Sequence, residues 1–357
     1  MVDLFAGCGA MSLGLKCAAE ALGLDFVPLL VADANVEILD IYEHNLNPLQ
    51  RFDGDLSQVV QFDSNEGSEQ GGFRKQPALL EQRFSSLGKV DVLIGGPPCQ
   101  GHSDLNNHSR RNDPKNALYL LMPAIAACLS PRAIIIENVR SVVHDKSRVV
   151  QRTKSLLEGM GYHVDDGLVL ASEVGVPQLR RRHFLLATRE RKVRVSDVVS
   201  AFRTAPRPIG WAIEDLLDVA ENDVIDTPSK LSAINQKRVD WLFKHKKDDL
   251  PDELRPSCHK DKPHSYKSMY GRMKWSEPAQ TITSGFGSPG QGRFIHPRQR
   301  RLITPHEAAR LQFIPDSFQF SGKNGFPKRT RLAEMIGNAV PPKLAYVMGL
   351  GAMSAFL

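Results

Sequence analysis

Residues 1–9 read Met-Val-Asp-Leu-Phe-Ala-Gly-Cys-Gly. A short apolar run, Val2–Phe5, ends in two glycines one residue apart. Glycine at the carboxyl end of a first strand lets backbone and ligand approach closely, and the amides of the following helix face that ligand. Outward from this opening, Leu29–Ala32, Val90–Ile94, Ala133–Ile136 and His183–Ala187 are again short and rich in Val, Ile and Leu. Strands covered on both faces of a parallel sheet read this way. Between them Val36, Leu39 and Tyr42 recur at a spacing of three, and Ala117–Cys128 and Val149–Met160 are long enough for helices. The alternation predicts an α/β fold with a doubly wound, mostly parallel sheet.

The chain has 357 residues, 41% hydrophobic and 24% charged, which excludes collagen-like, coiled-coil and wholly disordered classes. Its length suits one large domain plus a smaller one. No uninterrupted apolar run of about 18 residues occurs, so no membrane-spanning helix is expected. No basic segment followed by an apolar run opens the chain, so no secretory signal is expected. The cysteines at 8, 17, 99, 128 and 258 are odd in number and form no Cys-x-x-Cys pair. That argues against a disulfide framework and a structural zinc site, and a cytoplasmic location follows as the expectation. The net charge of +6 is uneven. Residues 180–301 carry 25 Lys+Arg against 15 Asp+Glu, a net of +10, and the rest of the chain carries −4. A basic middle on a slightly acidic scaffold suits a polyanion, and a solvated charged face is the plain alternative.

Several residues stand where chemistry needs them. Asp33 lies 24 residues after Gly9, at the end of the second strand, where a carboxylate can accept both hydroxyls of a ribose. Asp55, in Gly54-Asp55-Leu56, stands where an adenine amino group would lie. No phosphate-binding lysine follows the glycine turn, which disfavours a triphosphate. In Gly95-Gly96-Pro97-Pro98-Cys99-Gln100-Gly101 a cysteine sits just past a buried strand, framed by prolines that stiffen the loop. A lone cysteine is usually a small buried hydrophobe, but this rigid frame points to a nucleophile. Glu137, in Glu137-Asn138-Val139, puts a carboxylate at the same edge, placed to handle a proton. Arg180 and Arg182 alternate, so an extended segment would put them on one face, with Arg181 toward solvent. Asp63–Gly72 lacks apolar residues apart from its glycines and reads as a surface loop. Thr304-Pro305-His306-Glu307 is a helix-opening capping box, and Pro341–Leu357 is apolar at helical spacing.

Together these blocks resemble the C5-cytosine DNA methyltransferase family. They occur in that family's order: DLFAGCG (3–9), GGPPCQGHS (95–103), ENV (137–139), QLRRRHF (178–184), RLITPHEAARLQFIPDSF (301–318) and GNAVPP (337–342), nearly the whole chain. The Pro-Cys-Gln block with Glu-Asn-Val starting 38 residues after its cysteine is highly specific. The resemblance implies a Rossmann-like methyltransferase fold and S-adenosylmethionine as methyl donor, with no metal. It implies that Phe5, Gly7, Gly9, Asp33, Asp55, Leu56, Gly96, Pro98 and Asn338 line the donor pocket. Cys99 would be the nucleophile, Glu137 the proton handler, and Arg180 and Arg182 the residues holding a flipped-out cytosine. The run Ser103–Asn116 would be a loop that closes over DNA.

The resemblance also divides the chain: 1–188 as the catalytic, donor-binding domain, 189–328 as a smaller basic target-recognition domain, and 329–357 as a segment returning to the first. Thr281-Ile282-Thr283 and Gly285–Arg293 fall where the family places DNA-contacting loops. The implied function is sequence-specific DNA cytosine C5 methylation by a monomer acting on double-stranded DNA, with a cognate restriction endonuclease as an open possibility. The alternatives are a transfer-RNA cytosine C5-methyltransferase, against which the sizeable basic region argues, and a dead DNA-binding homologue, against which the Cys99, Glu137 and Arg182 set argues. Departures from the family pattern are Ala34 in place of an aromatic residue, Asp33 where Glu is commoner, His102 where an aromatic is frequent, a long stretch between Asp55 and Gly95, and Met1 lying inside the first strand. The last implies either an upstream start or a shortened sheet edge.

Overall fold

The computed structural model describes residues 1–63, 73–98, 118–257, 269–323 and 325–357. The chain packs as two compact units. The first comprises 1–174, 181–203 and 340–357, and the second 175–180 and 204–339. These borders assign 189–203 to the first unit and 329–339 to the second, where the sequence alone suggests breaks after 188 and 328.

In chain order the first unit contains β1 (Val2–Leu4), α1 (Ala10–Ala21), β2 (Leu30–Ala32), α2 (Val36–Leu46) and β3 (Gln50–Phe52). A small antiparallel pair follows, β4 (Val60–Gln61) and β5 (Ala78–Leu79), then α3 (Gln82–Ser85) and β6 (Val92–Gly95). Next come α4 (Leu121–Leu129), β7 (Ala133–Val139), α5 (Val149–Gly159), β8 (His163–Leu170), β9 (Arg181–Thr188) and α6 (Val195–Ala201). The second unit holds α7 (Ile209–Ile213), α8 (Ala233–Lys244), α9 (Pro305–Leu311) and α10 (Arg329–Asn338). The chain ends with α11 (Pro342–Ser354) in the first unit.

The main sheet has seven strands in the order β3-β2-β1-β6-β7-β9-β8. β3, β2, β1, β6 and β7 run parallel, while β9 is antiparallel to both its neighbours. The order reverses between β1 and β6, and the crevice at such a switch point is where ligands of doubly wound sheets bind. The central strands are apolar on both faces because helices cover both. Ile134, Ile135 and Ile136 of β7 are fully buried, each contributing roughly 1.5–3 kcal/mol relative to exposure. On one face Val2, Leu4, Leu93, Ile134, Ile136, Leu185 and Ala187 form a core with α4 and α5. On the other, Val31 packs on Leu39, Tyr42 and Leu46 of α2.

β3 and β8 lie at the two sheet edges and lack the apolar signature for that reason. Gln50-Arg51-Phe52 is half solvated, with Arg51 paired to Asp40 and Glu43. His163-Val164-Asp165-Asp166 mixes charge into a strand with one open side. Helix α1 lies against α11 at close range. A β-carbon added at Gly14 would fall 2.1 Å from the Pro342 carbonyl oxygen, so glycine is required for this approach. Also beneath α1, the Tyr42 hydroxyl donates to Ser12 Oγ at 2.8 Å, and Ser12 donates to Asp3 Oδ2 at 2.6 Å. Burial pushes the Asp3 carboxyl up to about 8.

The second unit is built differently. Its described residues contain isolated bridges, such as Gln178 with Ala279 and Ile295 with Leu302, and the helices α7 to α10, with Val239, Leu242, Phe294, Ile295, Leu302 and Leu311 buried. The capping box at α9 is present. Thr304 Oγ1 accepts from Glu307 N, and the Glu307 carboxylate accepts from Thr304 N. No helix of the described residues is long and apolar enough to cross a membrane.

Candidate active site

The register of the parallel strands builds one edge. Leu4, Ala32 and Phe52 are aligned, as are Leu4, Gly95 and Ile136. The next residue of each strand is therefore Phe5, Asp33, Asp53, Gly96 and Glu137. Every described first-unit candidate except Arg182 lies on this row or within a few residues of it along the chain.

At the β1 end the turn is sharp. Phe5, Gly7 and Gly9 all take positive φ, at 57°, 55° and 92°. For Phe5 that is an uncommon conformation, and it swings the chain over the sheet edge at once. Gly9 opens α1, and a β-carbon there would sit 2.7 Å from Leu46 Cδ1 and 2.8 Å from Tyr42 Cδ2. Asp33 braces this turn. Its Oδ2 accepts from Gly7 N at 2.9 Å and its Oδ1 from Asn35 N at 2.9 Å. Ala34 beside it is exposed. Asp55 is exposed and caps the one-turn helix 56–58, accepting from Ser57 N, while Leu56 is buried.

At the β6–β7 side a second cluster forms. Glu137 is almost buried, and its Oε1 lies 2.8 Å from Arg182 Nε. Val139 is paired with Arg182 across β7 and β9, so Glu137, two residues before Val139, shares its face. A β-carbon built at Gly96 would lie 3.5 Å from Glu137 Oε2, so the loop leaving β6 runs beside this carboxylate. Pro98 is the last described residue of that loop and is half-buried. Cys99, the expected nucleophile, lies outside the described residues, as do His102, the run Ser103–Asn116 and most of Asp63–Gly72.

Asn138 received no role from the sequence. The strand turns it to the opposite face from Glu137, where its Nδ2 donates to Pro97 O at 3.0 Å in a buried setting. It ties β7 to the loop that precedes Cys99. The signal was available in the alternation along β7, but only the pairing of β6 with β7 makes Pro97 the partner.

Arg180 is placed unlike Arg182. β9 begins at Arg181, which is exposed as expected, and Arg180 precedes the strand and belongs to the second unit. It is 2% exposed, and its Nη1 donates to Ile282 O at 2.9 Å and Gly337 O at 3.1 Å. Asn338 is also in the second unit, exposed at the end of α10. Among the described residues no group of three or more His, Cys, Asp or Glu is placed to hold a metal ion.

The profile of the C-5 cytosine-specific DNA methylases matches residues 1–350. The chain belongs to this family. Over 351 residues it is 42% identical to the type II methyltransferase M1.BsuMI of Bacillus subtilis, covering 98% of this chain and 79% of that protein. It is 30% identical to the type II methylase M.HgiDII of Herpetosiphon aurantiacus, covering 98% of this chain and 93% of that one. Among solved structures, one described as a DNA modification methyltransferase encoded within an E. coli prophage superposes with a TM-score of 0.65 at 24% identity, covering 99% of this chain and 98% of that one. That likeness bears on the fold, and it agrees with a mostly parallel seven-stranded sheet. This C-5 cytosine-specific DNA methylase thus carries the Gly7–Gly9 turn, Asp33 and Glu137 at one sheet edge.

Proposed function

We propose that the protein is a type II, sequence-specific DNA cytosine C5-methyltransferase that uses S-adenosylmethionine and a covalent Cys99 adduct. The observation that carries this is the Glu137–Arg182 pair standing beside Gly96, in the loop that leads to Cys99.

The residues at the β1 edge suit a nucleoside-bearing donor. Each Asp33 oxygen accepts one backbone amide and keeps a lone pair for a ribose hydroxyl. A β-carbon at Gly7 would meet nothing within 4 Å, so the turn leaves open space. Phe5, Gly7, Gly9, Asp33, Asp55, Leu56, Gly96 and Pro98 would hold the donor. When bound, S-adenosylmethionine supplies the methyl group.

Cytosine C5 is too weak a nucleophile to take a methyl group unaided. The Cys99 thiolate adds to C6, forming a C–S bond, and C5 becomes enamine-like. Glu137 holds the ring N3 through a shared proton, and Arg182 donates to the base carbonyl. After C5 has gained its methyl group it loses its proton, and the C–S bond breaks to return the thiolate. The base must leave the helical stack for this, so the enzyme flips it.

The second unit supports DNA as substrate. Its arginines are largely occupied within the fold: Arg272 pairs with Asp248, Arg293 with Asp249, and Arg238 donates to Leu254 O and Asn235. Lys230, Lys237, Lys244, Lys246 and Lys247 are exposed and in no ion pair among the described residues. Open lysines suit phosphate contacts, which supply affinity and a salt dependence without reading sequence.

The test is bisulfite sequencing of DNA from cells expressing the wild type or Cys99→Ser. Wild type should leave methylated cytosines in one sequence context, and the variant none, while still binding donor and duplex DNA. Methylation by Cys99→Ser at the wild-type rate overturns the covalent mechanism. Methylation of transfer RNA and not of DNA overturns the substrate.

A further inference from the structure

Gln178 and Arg180 lie two residues apart and hold the backbone of the same residue, one at its N–H and one at its C=O. Gln178 Oε1 accepts from Ile282 N at 2.8 Å, and Arg180 Nη1 donates to Ile282 O at 2.9 Å. The backbone between them adds Leu179 N to Ala279 O at 2.7 Å. Gln178 Nε2 donates to Leu311 O at 3.0 Å and to Gln312 Oε1 at 2.8 Å. Gln312 Nε2 in turn donates to Ile336 O at 2.6 Å, next to Gly337, whose carbonyl accepts from Arg180. Gln178, Arg180, Gln312 and Ile282 are all buried. At Gly337 a β-carbon would fall 2.1 Å from Ser284 N and 2.3 Å from the Thr283 carbonyl carbon, so the end of α10 presses directly on this segment.

A buried guanidinium is costly to desolvate, and here the bonds from Arg180 Nη1 and the two glutamines offset part of that cost and hold one geometry, although Arg180 Nε makes no hydrogen bond among the described residues. What it holds here is an anchor with open flanks. Ile282 is locked, while Thr281 and Thr283 are half exposed and Ser284 is exposed. The C-terminal end of α10, with exposed Asn338, is fastened by the same bonds.

We propose that Arg180, with Gln178 and Gln312, is a positioning residue for DNA-site recognition, setting Thr281–Ser284 against the duplex rather than holding the target base. This rests on the second unit being the DNA-reading part of the enzyme. Lysine at 180 keeps the charge but is shorter and lacks the planar guanidinium, whose single Nη1 donates to both the Ile282 and Gly337 carbonyls.

The experiment compares wild type, Arg180→Lys and Gln178→Asn in the full chain, on plasmid DNA whose methylated context has first been mapped by bisulfite sequencing. Kinetics are measured against DNA and against S-adenosylmethionine, and thermal unfolding is recorded for each. Both variants should raise KM for DNA and lower discrimination between the mapped site and single-mismatch sites by about tenfold each, with KM for the donor and kcat at saturating DNA within about threefold of wild type. A fall in kcat at saturating DNA with unchanged KM and discrimination overturns the proposal, because a base-holding Arg180 would give that result. A loss only in proportion to the unfolded fraction, or no change, also overturns it. If Arg180→Lys does not fold, Gln178→Asn decides by the same criteria, and if neither folds the network is structural and the proposal fails. Wild-type protein that leaves duplex DNA unmethylated defeats the underlying reading instead.

Discussion

Arg182 Nε lies 2.8 Å from Glu137 Oε1, across two antiparallel strands and 45 residues of intervening sequence position. The pair is mostly shielded, so each group is held by the other in a setting where an unpaired charge would be expensive. This fixes the carboxylate beside the loop that leaves β6.

Removing one member of the pair should therefore act on both stability and chemistry. Arg182→Ala strands the Glu137 carboxylate and should cost about 2 kcal/mol, with much less lost when Glu137→Gln is added. Denaturant unfolding of the four proteins of the double-mutant cycle measures this. A loss in the double variant equal to the sum of the two single losses would mean the two side chains are not coupled.

Glu137→Gln alone should leave donor binding intact and slow the chemical step by about 10²–10⁴-fold, the usual worth of a positioned proton-transfer group. Single-turnover methylation at saturating DNA and donor is the measurement. An unchanged rate removes Glu137 from the mechanism.

Asp33 both braces Gly7 and would carry the donor's ribose. Asp33→Ala should weaken S-adenosylmethionine binding by about 10–100-fold, the loss expected for hydrogen bonds to a charged acceptor. Calorimetric titration of the donor tests it, and near-wild-type affinity would place the ribose elsewhere.

The α1–α11 approach leaves no room for a side chain at Gly14. Gly14→Ala forces a methyl group against the Pro342 backbone carbonyl, which cannot move as a side chain end could. The expected cost is about 1–3 kcal/mol, as for other overpacked cores. Thermal unfolding would show it, and an unchanged transition would mean the two helices part easily.

His296 gives the second unit a pH dependence. The ring is fully buried, its Nδ1 accepts from Arg298 N at 3.0 Å and Gln299 N at 2.8 Å, and Nε2 faces Glu307 Oε1 at 3.4 Å. Burial lowers its pKa to about 4 from an ordinary 6.5, with Arg301 and Arg298 adding to the shift and Glu307 opposing it. The unfolded chain then binds more protons between those values. Stability from this group is complete above 6.5 and is lost as pH falls toward 4, by on the order of 3 kcal/mol. Unfolding curves across that window, with His296→Gln as the flattened reference, check it. Equal slopes for both proteins would refute the assignment.

Much of the fold was legible because its signals are local. The apolar runs at Leu29–Ala32, Val90–Ile94 and Ala133–Ile136 announce covered strands, and the Gly7–Gly9 turn announces the ligand edge. β3 and β8 were not legible, since an edge strand need not be apolar, and Asp165 and Asp166 conceal the second. The two arginines show the limit most plainly. Arg180 and Arg182 look equivalent in a line of text, yet the strand starts between them, and they end in different compact units. Asn138 was visible but mute, because its partner Pro97 is brought near only by strand pairing.

The sequence by itself determined what a few adjacent residues can encode: the glycine turn at Gly7–Gly9, the Thr304–Glu307 capping box, the order of the covered strands, and the concentration of positive charge in 180–301. Tertiary structure decided who meets whom. The antiparallel register of β7 with β9 sets Arg182 on Glu137, and the closure of 178–180 onto 282 and 337 buries Arg180. The partners of a charged side chain are groups brought from 45 to more than 150 residues away, a carboxylate for Arg182 and backbone carbonyls for Arg180. No local period in the chain carries that information.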